Sequence, residues 1–347
     1  LFTSLYDIVD MFYIGMIGGE AVAAVTIYLA LFWALEILNE IVGTSSVSLL
    51  SRSWGSGERE RTRRIAEQTF VFKALLGTLG ALLLIATMPL LFRIFSSDTT
   101  VLAYGLQYGY IRTLFVPIFF SSYTVNTILR SVGDAKTPMY LLLITALLNV
   151  VLDPLFMFDT LPLTSIRGLG WGMAGAALAT GISYLVAFAV GFLYLLSGKA
   201  PLTIHLKGIF HLDRELDKKL LAIGLPSGLN MLLKSIVSFI FLRLVAVYGT
   251  MAIAAAGVAS RIYQFAGMPS GGLAMGSGIL VGQRLGSQQI EEARSICLLS
   301  AANGIIFSIP LIAILMLFPS QVLSLFLSGA GAVGSEAVLL VRVYALC

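Results

Sequence analysis

The feature that most constrains this chain is a series of apolar runs, each long enough to cross a bilayer as a helix. The hydrocarbon core is about 30 Å thick and needs about 20 apolar residues. Only 12% of the residues are charged and 58% are hydrophobic, whereas a soluble domain carries about 25% charge. The sequence therefore predicts an all-α, polytopic membrane protein with nine helices and part of a tenth. The predicted spans are 1–18, 21–50, 66–92, 106–129, 137–158, 168–197, 220–247, 249–281, 295–318 and 333–347.

Basic residues collect in alternate loops between these runs. The positive-inside rule places the even-numbered loops, and with them the N-terminal side of the chain, in the cytoplasm. The net charge of +4 then reflects topology, so no nucleic-acid partner is implied. No cleavable signal peptide is expected, because the first residues already lie in an apolar run. The two cysteines suggest neither a disulfide framework nor a thiolate metal site.

The sequence contains an internal repeat. The displacement that aligns Ala21 with Ala252 also aligns Arg63 with Arg294. The first copy holds six helices, so both copies enter the membrane from the same side and form parallel repeats. We predict an N-terminal six-helix bundle at 1–197, a cytoplasmic connector at 198–219 and an incomplete C-terminal bundle at 220–347. The same comparison predicts that the sequence is truncated at both ends, lacking part of the first helix and most of helices ten to twelve.

Five carboxylates lie within apolar runs of the first repeat. Such groups are costly in a membrane and mark ion pathways by default. Asn149 and Asp153 stand one helical turn apart on one face, and Pro154 frees a backbone carbonyl beside them. We therefore predict a site for protons or a cation such as Na⁺ at Asp10, Asn149 and Asp153. The five carboxylates are Asp7, Asp10, Glu36, Glu40 and Asp153.

The remaining polar residues leave two interpretations open. Asn126 and Thr180 either complete the site around Asp153 or make interhelical hydrogen bonds. Asp7 either shares a helix face with Asp10 or lies among lipid headgroups.

The i, i+4 pair Glu36 and Glu40 places two like charges on one stripe. These two residues either share a proton or cation, or line an aqueous vestibule as solvated side chains. Among the cations of helices seven and eight, Arg243 is explained by snorkelling to an interface, whereas Lys234 and Arg261 could face a cavity.

Four segments together resemble one transporter family. The segments LYDIVDMFYIGMIGGEAVAAV, ILRSVGDAKTPM, LLNVVLDPLFMF and GLAMGSGILVGQRLG resemble the multidrug and toxic compound extrusion (MATE) family over essentially the whole chain. The resemblance implies twelve helices in two six-helix bundles around a V-shaped cavity. It also implies antiport of cationic, amphipathic, drug-like compounds against H⁺ or Na⁺, with no cofactor. Carried over by motif, Asp10, Asn149 and Asp153 become the coupling site, supported by Asn126 and Thr180.

Two departures from the family pattern refine the expectation. Asp7 stands where the motif often has Asn. Lys234 stands where one branch carries a coupling glutamate, which favours the branch resembling the DNA-damage-inducible F proteins. The resemblance implies a monomer in the cell membrane, surrounded by lipid.

Two alternatives remain open at the sequence level. A lipid-linked oligosaccharide flippase would need several cations around the cavity, and the charge noted above in the first bundle is mainly acidic. A membrane-embedded prenyl-diphosphate enzyme would use Asp7 and Asp10 to bind a metal, and it would need a second acidic motif near a cytoplasmic helix end, which the sequence does not have.

Overall fold

A computed structural model describes residues 2–161, 166–209, 213–247 and 250–321, together with positions 338, 339 and 342. Within those residues the chain is helical apart from connecting turns and one isolated bridge between Thr160 and Arg167. The helices are α1 (Phe2–Ile17), α2 (Gly19–Gly55), α3 (Arg59–Phe95), α4 (Thr99–Leu114), α5 (Val116–Ser131), α6 (Lys136–Met157), α7 (Gly172–Leu196), α8 (Leu206–Ile209), α9 (Arg214–Ala246), α10 (Thr250–Gly286) and α11 (Ile290–Leu317).

The all-α prediction is confirmed. Six of the described helices are long and apolar enough to cross a membrane, by length and composition. They are α2, α3, α6, α7, α9 and α11. Helices α2 and α3 extend beyond their predicted spans at both ends, because the charged residues around the 56–58 turn continue the helices instead of interrupting them.

The fourth predicted span, 106–129, is wrong in its boundaries and its continuity. Helix α4 already begins at Thr99, because the Asp98 side chain caps it by accepting hydrogen bonds from the backbone N–H groups of Thr100 (2.7 Å) and Val101 (3.2 Å). The helix then breaks at Phe115, and α5 starts at Val116. Pro117 explains the break, since it has no N–H to donate to the carbonyl four residues earlier.

The chain divides into two compact units, Leu1–Gly228 and Leu229–Cys347. The first unit contains α1 to α8 and the beginning of α9, and its core includes Tyr28, Met88 and Tyr108, all at most 2% exposed. In the second unit α10 and α11 pack against each other, and the hydroxyls of Ser277 and Ser300 lie 2.8 Å apart.

Helices α6 and α7 approach each other closely at a glycine. A Cβ atom on Gly175 of α7 would lie 2.4 Å from the backbone oxygen of Phe156 in α6. Only a residue without a side chain fits that contact, which is how small residues let membrane helices approach. This packing sets the distance between the polar residues of α6 and those of α7.

Candidate functional site

The central pair of the site lies on α6. Asn149 and Asp153 are both fully buried, and the Asn149 Nδ2 donates a hydrogen bond to Asp153 Oδ1 over 3.1 Å. Their spacing of one turn places them on the same helix face, as predicted. Pro154 follows inside the helix, and α6 ends at Met157, where the N–H of Phe158 still reaches the Pro154 carbonyl.

Helix α7 contributes Thr180 to this pair. The same Asn149 Nδ2 lies 3.3 Å from Thr180 Oγ1, and the Thr180 hydroxyl itself donates to the carbonyl of Ala176 over 3.0 Å. The amide nitrogen of Asn149 is thus committed to two neighbours. Its Oδ1 and the Oδ2 of Asp153 are buried and accept no hydrogen bond from any described residue. Two buried acceptor oxygens without donors are costly, and a proton or cation is the kind of ligand that they fit.

Helix α1 brings a second carboxyl group to Asp153. Asp10 is 8% exposed, and its carboxyl group lies within reach of that of Asp153, so the two can share a hydrogen bond when one of them carries a proton. Two carboxyl groups at this range repel each other when both are charged. They are stable together when they share a proton or when a cation lies between them.

A buried arginine lies beside the acids, and the sequence reasoning missed it. Arg112 of α4 is 8% exposed and interacts electrostatically with Asp153. Its guanidinium lies 5.7 Å from the centre of the Phe32 ring and 5.6 Å from that of Tyr184. The signal was available, because Arg112 stands within an apolar run just as the five acids do.

The structure separates Glu36 and Glu40 from this site. Asn39 Nδ2 lies 3.4 Å from Glu36 Oε2, whereas Thr44 donates to Glu40 Oε1 over 2.5 Å. Both side chains are partly buried. Close to them lies Lys73 of α3, which is fully buried and was also overlooked in the sequence. The charges of these two polar clusters are therefore mixed, although the acids outnumber the bases.

The other candidate residues are distributed as follows. Asn126 is buried on α5, and the described hydrogen bonds do not link it to Asp153. The side chains of Asp7 and Arg261 lie outside the described residues, so the predictions for both stay predictions. Lys234 and Arg243 are exposed in this structure.

A polytopic helical protein with paired carboxyls buried among amide and hydroxyl groups belongs to the class of secondary transporters, in which such groups bind coupling ions. Comparison with known proteins gives the family. The MatE family model matches residues 1–155 and 226–347, so this chain belongs to the MATE family of multidrug exporters. Members are transporters and not enzymes, which decides against the prenyl-diphosphate alternative.

Individual relatives agree with this membership. The probable multidrug resistance protein YoeA of Bacillus subtilis is 29% identical over 94% of this chain and 70% of its own length. The FAD transporter of Shewanella oneidensis is 26% identical over 92% of this chain and 70% of its own. A crystal structure of a MATE protein in the bent conformation superimposes with a TM-score of 0.87 at 26% identity, covering 98% of this chain and 73% of that one. The protein is thus a multi-pass protein of the cell membrane.

Proposed function

We propose that this protein is an antiporter that exports cationic, amphipathic, drug-like compounds in exchange for H⁺ or Na⁺. The coupling ion binds at Asp10, Asn149, Asp153 and Thr180. The observation that carries the proposal is the contact between the buried carboxyl groups of Asp10 and Asp153, beside acceptor oxygens that no described residue satisfies.

The arrangement suits either ion. A proton fits between the two carboxyl groups, because a shared proton removes one of the two repelling charges. A sodium ion is a hard cation that prefers oxygen ligands. Asp153 Oδ2 and Asn149 Oδ1 are two such oxygens, and neither accepts a hydrogen bond from the described residues.

Exchange follows from competition for negative charge. When the cavity is open outward, an ion neutralises Asp10 and Asp153, which lowers the affinity for a cationic substrate, and the substrate leaves. When the cavity opens inward, the ion dissociates and the site attracts the next substrate. By linkage, if the ion lowers the affinity for the substrate, the substrate lowers the affinity for the ion by the same factor, typically about 5- to 150-fold.

The test uses the full-length protein in lipid vesicles loaded with ethidium. Efflux is driven by an imposed proton gradient or an imposed sodium gradient, and the variants are Asp10→Asn and Asp153→Asn. The matched control is Glu20→Gln, which removes an exposed carboxylate at the start of α2. We expect efflux under one gradient only, lost in both aspartate variants and retained in the control. Gradient-driven efflux that survives Asp10→Asn and Asp153→Asn contradicts the assigned site.

A second candidate substrate class is an anionic amphipathic compound of the flavin-nucleotide kind. Two observations favour it: the buried cation Arg112 beside the site, and a relative described as an FAD transporter. Against it, Asp10, Asp153, Glu36 and Glu40 outnumber Arg112 and Lys73 in these two polar clusters. Vesicles loaded with FAD in place of ethidium decide between the classes, since the gradient will drive only the transported compound.

A further inference from the structure

A second polar cluster lies where α2, α3 and α5 meet, apart from the Asp10 and Asp153 site. It consists of Glu36, Asn39 and Glu40 from α2, Lys73 from α3 and Tyr123 from α5, and we call it the Lys73 cluster. Lys73 Nζ donates to Asn39 Oδ1 over 2.7 Å and lies 4.5 Å from the centre of the Tyr123 ring. Asn39 in turn faces Glu36, so an amide stands between the ammonium and the Glu36 carboxylate.

The cluster differs from a structural ion pair. Lys73 is fully buried, and an ammonium group has three donors, of which one is used by a described residue, Asn39. Glu36 Oε1 is buried and accepts no hydrogen bond from the described residues. A buried ion pair is stable only when contact is direct and the remaining hydrogen bonds are made. Here donors and acceptors remain available on both sides of Asn39.

The charges of the cluster also face a common space. A Cβ atom on Gly43 would lie 3.4 Å from Lys73 Nζ, 3.4 Å from Tyr123 Cε1 and 4.0 Å from Glu40 Oε2. Glycine therefore leaves room between the ammonium and Glu40. Glu40 is only partly buried, so it connects the buried side chains of the cluster with the accessible surface of the bundle.

The cluster lies at a different depth from the aspartate site. Tyr28 of α2 lies near the aspartate site: its hydroxyl lies 3.2 Å from Thr113 Oγ1, and its ring packs on Tyr108, which interacts electrostatically with Asp10 and Asp153. Glu36 follows eight residues later, roughly 12 Å further along the helix. That direction leads toward the 56–58 turn, whose surrounding arginines mark the cytoplasmic side by the positive-inside rule.

Arg112 connects the two sites electrostatically. It interacts electrostatically with Asp153 and also with Glu36. The two acids are therefore within electrostatic range of one cation, and Glu36 interacts with Lys73 as well. Neutralising Asp153 removes one negative charge from the surroundings of Arg112 and Glu36, which makes the ionised form of Glu36 less costly, so a change at the first site alters the potential at the second.

We propose that the Lys73 cluster is a second proton-binding site, which takes up and releases a proton when the aspartate site changes charge. The proton is held on the Glu36 carboxylate and leaves to water past Glu40, and no other bond is made or broken. The charged and titratable groups that interact with Glu36 are Glu40 from its own helix, Lys73 from α3, Arg112 from α4 and Tyr123 from α5. Arg130 of α5 interacts with Lys73 and Tyr123 of the same cluster. Helix α9 meets this part of α2 with glycines, Gly224 and Gly228. The proposal rests on the antiport function proposed above.

The experiment measures protons released when ethidium binds to the purified full-length protein in weakly buffered detergent solution, and the dependence of ethidium Kd on pH. The variant Glu36→Gln keeps the shape and the acceptor for Asn39 but cannot ionise. We expect it to release about one proton fewer per bound ethidium. The slope of log Kd against pH should then be smaller by about one, which is about a tenfold smaller change in Kd per pH unit. Glu20→Gln, an exposed acid on the same helix, should match the unmodified protein.

A second variant protects the test against misfolding. Glu36→Gln combined with Lys73→Met removes both charges of the pair and leaves no unpaired buried ion, and it should show the same loss of one proton. If both variants release as many protons as the unmodified protein with the same pH dependence, the cluster only fastens α2 to α3 and the proposal is overturned. The variant Asp10→Asn distinguishes a failure of the antiport proposal from a failure of this one. If Asp10→Asn leaves gradient-driven efflux intact, the assigned antiport site is contradicted. The Lys73 cluster still stands in that case if Glu36→Gln releases about one proton fewer.

Discussion

Substituting Gly175 by alanine should weaken both the fold and the ion site, because this glycine fixes the approach of α6 and α7. The added Cβ would lie 2.4 Å from the Phe156 oxygen, 2.5 Å from its carbonyl carbon and 2.9 Å from the Met157 nitrogen. All three atoms are backbone and cannot rotate away. Ordinary contacts between heavy atoms are about 3.5 Å, so the helices must separate by roughly 1 Å.

The expected losses of stability and of ion affinity follow from that separation. Overpacking of this kind costs about 1 to 3 kcal/mol, and about 2 kcal/mol lowers the melting temperature by roughly 4–8 °C for a unit of this size. The hydrogen bond from Asn149 to Thr180 is already 3.3 Å long. A further 1 Å exceeds hydrogen-bonding range, so the affinity for the coupling ion should fall by about fivefold or more.

The assay compares thermal unfolding in detergent and the ion dependence of ethidium efflux from vesicles. Gly19→Ala is the control, because no described atom lies within 4 Å of a Cβ at that position, and alanine there should be neutral or slightly stabilising. If Gly175→Ala unfolds at the same temperature as Gly19→Ala and keeps the same ion dependence, the close contact does not hold α6 and α7 in register and the reasoning is refuted.

Two further substitutions test smaller features. Thr180→Val removes the hydroxyl that contacts Asn149 and should raise the ion concentration for half-maximal efflux by about fivefold, the equivalent of roughly one hydrogen bond. Thr180→Ser keeps the hydroxyl and should keep the original ion concentration. An unchanged value for the valine variant would show that Thr180 is not part of the site. Asp98→Ala removes the cap of α4 and should cost about 1 kcal/mol, or roughly 2–4 °C in melting temperature. Asp98→Asn retains a capping oxygen, so equal melting temperatures for the two Asp98 variants would contradict the capping role.

The local features of the fold could be predicted from the sequence because they depend on neighbouring residues. Apolar runs indicate membrane helices wherever water is excluded, and the spacing of Asn149 and Asp153 places them on one face in any helix. The structure confirms the spacing of Asn149 and Asp153, and it confirms the apolar runs for the six described helices that are long and apolar enough to cross a membrane. The break at Phe115 could have been predicted from Pro117. Arg112 and Lys73 could also have been found, because the rule that ionisable residues within apolar runs mark functional positions applies to bases as well as to acids.

The sequence by itself thus determined the fold class, the family and the pair of Asn149 and Asp153 on α6, since each depends on composition, motif or helical period. Only the tertiary structure decided that Asp10 of α1 meets Asp153, that Thr180 of α7 completes the pair, and that Glu36 and Glu40 face Lys73 and not the aspartates. These contacts join residues far apart in the chain. They depend on how closely helices pack at positions such as Gly175 and on which face each helix turns to its neighbour, and helical periodicity alone does not specify either.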